Sequence, residues 1–400
     1  MSPFTAVLLS ILAVLANAAP ILLPSSWTDY DVIVVGGGPA GLAALSALAR
    51  VRRNALLIDS GDYRNTPTRL MHDVIGFDGV RPAYFRWVAQ QQVAHYKTVK
   101  MTNGTVTDIQ PEADNAYFTV SMTGFDGTVS SLTARKIILA TGLRDILAPT
   151  PGLQENFGKG IYWCPWCDGI EHADQPMGIL GSFDRAARAA AEVMTLNSDV
   201  IIFANGTDTP ENRARADKVF AENSSEYLQK RNIKVDNRII TRITRLRDGG
   251  ADHTDPSLPS MPEYDLFRVD FASGPSVERN TFFYTFDNEQ RSPLGERAGV
   301  RMVDGMMAVD DNMLTSVPGI YAVGDANSDE RTNVGHALYT GKSAVVHLHM
   351  ELEKETSRSQ KALPLTAEKE DEGREETRAK VWAQLKSSPT RPIYIDQFPL

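Results

Sequence analysis

Short runs of consecutive apolar residues punctuate this chain, and small apolar residues recur at helical spacing between them. A run with no polar position has no solvent face, so it reads as a strand buried on both sides of a parallel sheet. Tyr30 to Val35 is the first, and Ala55 to Asp59 the second, with an alanine- and leucine-rich helix from Leu42 to Arg50 between them. Tyr117–Met122 and Gly127–Leu132 alternate instead, which predicts a hairpin. Arg135–Ala140 predicts another buried strand, running into Thr141-Gly142 and a turn at Pro149 and Pro151. The pattern then restarts. Met177–Gly181 predicts a strand with a turn, Arg185–Leu196 a helix and Val200–Ala204 a strand, a second βαβ unit. Asp248–Pro262 is a polar loop. Gly319–Asp325 predicts a strand ending in a Gly-Asp pair, followed by a helix from about Gly335 to Leu352. Residues 353–388 are charge-rich with little periodicity and read as a solvated tail or a weak surface helix.

At 400 residues the chain is too long for one ordinary core, and two domains are expected, with a boundary just before the cysteines. The composition, 42% hydrophobic and 23% charged, is that of a globular protein. A net charge of −9 without a basic stripe argues against a nucleic-acid partner. Ala6 to Ala16 form an apolar run too short to cross a bilayer, and Ala16-Asn17-Ala18 supplies a cleavage site after Ala18. Residues 1–18 therefore read as a secretory signal peptide, although no Lys or Arg precedes the run, and no membrane association is expected after cleavage. Three glycosylation sequons agree with secretion: Asn103-Gly104-Thr105, Asn205-Gly206-Thr207 and Asn223-Ser224-Ser225.

Two stretches carry chemistry. Gly36-Gly37-Gly38-Pro39-Ala40-Gly41 stands between the first strand and the first helix, the order a dinucleotide site requires. Gly36 permits the tight turn, Gly38 lets the backbone approach a pyrophosphate, and Gly41 lets the helix pack on the strand. Asp59, closing the second strand, offers a carboxylate to both ribose hydroxyls of an adenosine. The second stretch is Tyr162-Trp163-Cys164-Pro165-Trp166-Cys167-Asp168-Gly169, which holds both cysteines of the chain. A C-x-x-C loop closes easily into a disulfide, and a helix opening on it favours a thiolate. Asp168 is placed to accept or deliver the proton of thiol–disulfide exchange, with His72, His172 and His336 as rivals. A structural disulfide or half a zinc site is the alternative, but zinc needs about four ligands, and no metal is expected. Trp163 and Trp166 either wall a substrate face or pack in the core.

Gly36-x-Gly38-x-x-Gly41, Ala140-Thr141-Gly142, Cys164-x-x-Cys167-Asp168 and Gly324-Asp325 together resemble the low-molecular-weight thioredoxin reductase class of flavoproteins, over roughly Asp29 to Leu352. Asp59-Ser60-Gly61-Asp62-Tyr63-Arg64-Asn65, with Met71-His72-Asp73 behind it, is similar to one branch of that class, the fungal FAD-dependent dithiol and sulfhydryl oxidases. The resemblance implies an α/β fold of two Rossmann-like, three-layer domains. An FAD domain in two parts, 29–150 and 289–352, would be split by a pyridine-nucleotide-like domain, 151–288, carrying the cysteines, with a charged tail over 353–400. It implies FAD as cofactor. Gly36, Gly38, Gly41 and Asp59 would hold its ADP half, Asp325 its ribityl chain, and Asn333 and Val334 would lie near the ring. Pro39, Ala40, Ser60, Arg64, Asn65, Asp73, Ala140, Thr141, Gly142 and Gly324 complete the implied cofactor set. Cys167 would face the flavin and Cys164 would exchange with substrate; a homodimer is also implied.

The departures from that class bear on function. Its reductases carry a complete second glycine fingerprint for NADPH and basic residues after the next strand. Here Gly178-Ile179-Leu180-Gly181-Ser182-Phe183 breaks the fingerprint. Val200–Ala204 is followed by Asn205-Gly206-Thr207-Asp208, without Arg or Lys, and an Asp there repels a phosphate. A glycan on Asn205 would cover the adenosine edge. The expectation is a secreted FAD-dependent thiol oxidase that takes electrons from a small-molecule thiol and passes them to O2, giving hydrogen peroxide. The alternatives are an NADPH-dependent disulfide reductase and a non-catalytic flavin-bound protein, the latter disfavoured by the intact cysteine pair.

Overall fold

Polar alternation stops halfway along the strand Val129–Leu139, and the pairing changes at the same place. Its first half, partly exposed, runs antiparallel to Tyr117–Gly124, which in turn pairs with the second half of Val99–Glu112. From Ala134 to Leu139 every residue is buried, and the same strand runs parallel to Tyr30–Val35 on one side and Ile320–Ala322 on the other. The expected hairpin arm ending at Leu132 and the expected buried strand from Arg135 are thus one continuous strand. Alternation and full burial looked like two elements because one strand serves two environments. The computed structural model describes residues 28–218, 220, 223–252, 261–329 and 331–362.

The parallel layer runs in the order Val99–Asn103, Ala55–Asp59, Tyr30–Val35, Ala134–Leu139, Ile320–Ala322. Its core holds Ile33, Val35, Phe118, Ile137, Leu139 and Ile320. The first helix, Pro39–Arg50, begins before the expected Leu42, because Pro39 has no N–H to leave unpaired at a first helical position. It buries Ala40, Leu42, Ala44, Leu45, Leu48 and Ala49.

A second sheet is wholly parallel, in the order Lys234–Asp236, Val200–Phe203, Met177–Leu180, Thr281–Tyr284, Ile161–Tyr162. The helix Phe183–Glu192 covers one face with Ala186, Ala187, Ala189 and Ala190, small residues that let it lie close. It starts and ends earlier than the expected Arg185–Leu196. An antiparallel sheet of Ile240–Arg247, Leu266–Phe271 and Val277–Arg279 supplies Ile243, Phe267 and Val269 to a core shared with Phe203 and Phe282. The chain passes between the two parallel sheets along Leu143–Ile146 and returns beside it along Asp287–Gln290, the two pairing antiparallel. The α/β class with parallel sheets stands as expected.

Thr28–His347 form one compact unit that contains both sheets. The last helix runs Val334–Ala362, past the expected Leu352, so Glu353 to Ala362 are helical rather than tail. A second unit takes in the chain from Leu348, where the described residues continue that helix. Gly249–Asp252 form a short 3-10 turn at the start of the expected polar loop. The expected signal peptide, the rest of that loop up to Ser260 and the expected tail beyond Ala362 lie outside the described residues. No described helix is long and apolar enough to cross a membrane.

Phe282 is fully buried, 5.9 Å from the Phe203 ring and 5.7 Å from Phe267. Phe282→Ala is expected to cost about 3–5 kcal/mol, because the cavity left between the Phe203 and Phe267 rings collapses only partly. Denaturant unfolding of the variant checks this.

Candidate active site

The carboxyl ends of the first parallel sheet open into a cavity of about 730 Å³. That is within the size range of cofactor sites. Gly36, Gly38, Pro39 and Ala40 line it from the first turn, and Ser60, Arg64, Asn65 and Asp73 from the segment after the second strand. Ala140, Thr141 and Gly142 line it from the end of the shared strand, and Gly324, Asp325, Asn333 and Val334 from the C-terminal part. Cys167 and Asp168 close it. Gly41, Asp59 and Cys164, also singled out from sequence, are absent from the lining.

The first turn is built for close approach. Gly36 has φ +113°, and a Cβ there would stand 2.3 Å from the Ala140 carbonyl oxygen. A Cβ on Gly41 would stand 1.9 Å from the Gly36 carbonyl oxygen, so Gly41 serves helix–strand packing rather than the cavity. No side chain caps the helix Pro39–Arg50, which leaves its N-terminal end to receive an anion. Asp59 is buried and accepts from the Gly61 N–H at 2.9 Å and the Tyr63 hydroxyl at 2.5 Å. A ribose at Asp59 would share that carboxylate with Tyr63. Burial and the bond to Asp59 push the Tyr63 hydroxyl above its ordinary range. Sequence reading passed over Tyr63 although it stands in the family-like stretch. At the far end Arg64 donates to Asp145 at 2.7 Å and Asp325 at 2.9 Å. Burial raises the Asp325 carboxyl above the usual range, against the pull of Arg64. An open helix N-terminus, an acid at the second strand end and a carboxyl at the opposite end fit the two halves of FAD.

Cys164 and Cys167 form a disulfide with Cα atoms 5.2 Å apart. Pro165–Asp168 is a single helical turn with Cys164 at its N-cap, and the Cys167 and Asp168 N–H groups donate to the Cys164 carbonyl at 3.1 Å. Cys167 faces the cavity and Cys164 does not. The two tryptophans separate: Trp163 lines the cavity and stacks on Phe157 at 5.0 Å, whereas Trp166 is 70% exposed.

Asp168, directly after Cys167, is buried. Burial, then the charges of Glu171 and Glu263, raise its carboxyl well above the usual carboxylate range, with Arg69 opposing. The rival histidines also separate. His72 lines the cavity. His172 is fully buried, with Nδ1 3.1 Å from the Asp168 carbonyl oxygen and Nε2 3.6–3.7 Å from Asp265 and Glu263. His336 pairs with Asp329 at 2.5 Å. Arg69 donates to Glu263 at 2.5 Å and to Asp265 at 2.8 Å, Tyr162 to Glu263 at 2.9 Å, and Arg245 also bonds Asp265. Burial works against ionisation of Asp265, but bonds from Arg69 and His172 outweigh it and hold the carboxyl far below its usual range. His172, Glu263 and Asp265 approach within 4.8 Å of one another, yet guanidinium groups already supply the positive charge a metal would bring.

A smaller cavity of about 420 Å³ lies at the second sheet, lined by Gly181, Ser182, Arg185, Asn205, Thr207 and Tyr284 among others. Two anion donors beside it are engaged, although the N-cap residue Ser182 makes no side-chain cap to the helix. The Phe183 N–H, first in the Phe183–Glu192 helix, donates to the Thr207 hydroxyl at 2.9 Å. Asp208 accepts two bonds from Arg213, at 2.6 and 2.7 Å, and Arg213 lies over the Phe183 ring at 4.7 Å. The sequence reading found no cation here; the helix Pro210–Ala216 folds Arg213 back onto Asp208 and cancels the expected repulsion. Arg185 pairs with Asp287 at 2.6 Å. Asn205 is exposed at the cavity rim, and its side-chain oxygen accepts from the Ile240 N–H at 2.8 Å.

A family model described as pyridine nucleotide-disulphide oxidoreductase matches residues 30–341. A probable thioredoxin reductase of Arthroderma benhamiae is 43% identical over 365 residues, covering 88% of this chain and 87% of the relative. Thioredoxin reductase tcpT of Claviceps purpurea is 28% identical, covering 78% and 91%. Among solved structures, HlmI is similar with a TM-score of 0.69 and 31% identity, covering 83% of this chain and 95% of that one. A putative thioredoxin reductase TrxB of Bacillus anthracis gives 0.68 and 25%, covering 82% and 99%.

The raised Asp168 carboxyl carries a sign. Its folded form holds a proton to higher pH than its unfolded form, so the penalty of ionising it builds as pH climbs above about 4. Asp168→Asn escapes that penalty. Its melting temperature relative to wild type is expected to increase from acid to neutral pH, read by thermal melts at several pH values.

Proposed function

The chain belongs to the pyridine nucleotide-disulphide oxidoreductase family, and on that premise we propose that it is a secreted, FAD-dependent thiol oxidase. The observation that carries this reading is an asymmetry between the two cavities. The first offers an uncapped helix end and is closed by Cys167. Beside the second, the first helical N–H is bonded to Thr207, Arg185 is paired with Asp287, and Arg213 is held by Asp208. To hold a 2′-phosphate Arg213 would have to leave Asp208, trading one set of charge-assisted bonds for another with little gain. Secretion is supported by the N-terminal apolar run and the sequons, and such a compartment favours disulfide formation.

The chemistry falls to the cysteine pair. A substrate thiolate attacks Cys164 Sγ, the S–S bond breaks, and Cys167 leaves as a thiolate. A second substrate thiol, deprotonated, attacks the mixed disulfide and releases the substrate disulfide from Cys164. Asp168, next to Cys167 in the chain, is buried, and its carboxyl, raised well above the usual range, is suited to exchange a proton with the thiols. Bound FAD would supply the two-electron acceptor that restores the disulfide and passes the electrons to oxygen, for a net two thiols and O2 to one disulfide and hydrogen peroxide.

An NADPH-dependent reductase is the second reading, favoured by relatives that are named thioredoxin reductases. Oxygen uptake separates the two. The purified FAD-loaded protein is expected to consume oxygen with a small thiol, forming one peroxide per disulfide. Uptake that requires NADPH supports the reductase. The orientation of the pair is tested by Cys164→Ser, which should show a long-wavelength charge-transfer band from a Cys167 thiolate beside oxidised FAD. Cys167→Ser should lack the band; the reverse pattern would exchange the two roles.

A further inference from the structure

The buried carboxyls around the disulfide fall into two groups. Glu263 and Asp265 accept from Arg69, Tyr162 and Arg245, and their side chains are sealed at 3% and 0% exposure. Glu171, on the turn Ile170–His172, is as buried but faces a different partner. Its Oε1 lies 3.6 Å from His72 Nδ1, and the same nitrogen lies 3.6 Å from Asp78 Oδ2. His72 Nδ1 is itself buried and makes no hydrogen bond. Asp78 is 36% exposed and is held in place by the Asp73 N–H at 2.8 Å. One imidazole nitrogen therefore stands midway between a sealed carboxylate on the disulfide side and a carboxylate touching water. A shift of a few tenths of an ångström toward either makes a hydrogen bond. Glu171 stands three positions after Asp168, on the turn that follows the Pro165–Asp168 helical turn, and both side chains are buried.

We propose that Glu171 and His72 are the proton exit of the disulfide, connecting Asp168 to Asp78 and solvent. This rests on the reading that thiols reduce the Cys164–Cys167 bond. Each substrate thiol that becomes a thiolate gives up one proton, which Asp168 accepts on a carboxylate oxygen. The proton passes to Glu171, from Glu171 Oε1 to His72 Nδ1, and from Nδ1 to Asp78 Oδ2, where water takes it. No electron moves along this path. The carboxylates paired with His72 are Glu171, from the turn after the cysteines, and Asp78, from its own loop; Asp73 and Asp168 line the same cavity. His172 offers no such path, because Nε2 faces the sealed group, Nδ1 faces the Asp168 main-chain carbonyl, and the side chain is fully buried. His336 is tied to Asp329 and does not line the cavity. His72 and Glu171 are thus positioning residues that act through Asp168.

The test is reduction of the FAD-loaded protein by dithiothreitol without oxygen, followed by stopped-flow across acid to alkaline pH. His72→Ala should slow reduction by about tenfold or more, enlarge the solvent deuterium effect, and recover when imidazole is added. Asp78→Asn, which keeps the acceptor for the Asp73 N–H, should slow it less, with the same isotope effect. A second measurement needs no turnover. The pH profile for alkylation of Cys164 in the reduced protein should be unchanged in both variants, since a relay moves protons without altering their equilibrium. Wild-type rates in His72→Ala, slow reduction that imidazole does not restore, or a shifted alkylation profile would each overturn the relay. Should His72→Ala not fold, a wild-type rate and isotope effect in Asp78→Asn overturn it. Failure of dithiothreitol to reduce the wild type would instead overturn the functional reading, and the relay with it.

Discussion

Arg69 is the constraint on which the placement of the disulfide depends. It belongs to the segment after the second strand of the first sheet, yet its guanidinium donates to Glu263 and Asp265, which lead into the strand Leu266–Phe271 of the antiparallel sheet. Its main-chain N–H donates to the Gly158 carbonyl at 3.2 Å, and a Cβ on Gly158 would stand 2.7 Å from the Pro67 backbone. Arg64 adds a second tie, to Asp145 in the connecting strand. Burying these charges costs desolvation that only good geometry returns, and removing one partner of such a set typically costs about 3–5 kcal/mol. The segment from Arg64 to His72 thus serves both sheets at once. It lines the flavin-sized cavity and holds the body that carries Cys167 against it.

The same segment sets the electrostatics of the cysteines. Arg69 takes up the Glu263 and Asp265 charges, which leaves Asp168 dominated by burial and by Glu171. A buried carboxyl raised well above the usual range and adjacent in the chain to a disulfide is suited to proton exchange. The helix ends complete the division of labour. One parallel sheet presents an uncapped helix N-terminus to its cavity, while the other spends its first helical N–H on Thr207.

Much of this was legible in the chain. Strand, glycine turn and helix at Tyr30–Arg50 follow from local rules that tertiary packing does not override. The cysteine pair and its aspartate are contiguous, so their proximity needed no fold. Pairing across long separations was not legible. Arg213 reaches Asp208 only because a helix turns back, and Arg69 reaches Asp265 across 196 positions. Nor does sequence order separate Trp163 from Trp166, or His72 from His172; burial and orientation do. The strand Val129–Leu139 was divided in the reading because period-two alternation and full burial are different signals from one element.

The central claim is that electrons enter through the cysteine pair and not through the second cavity. Anaerobic mixing of the FAD-loaded protein with either a dithiol or NADPH, monitored by loss of flavin absorbance, tests it most directly. The account predicts fast bleaching by the dithiol, abolished in Cys164→Ser, and little or none by NADPH. Rapid bleaching by NADPH at low concentration, unaffected by Cys164→Ser, would contradict it.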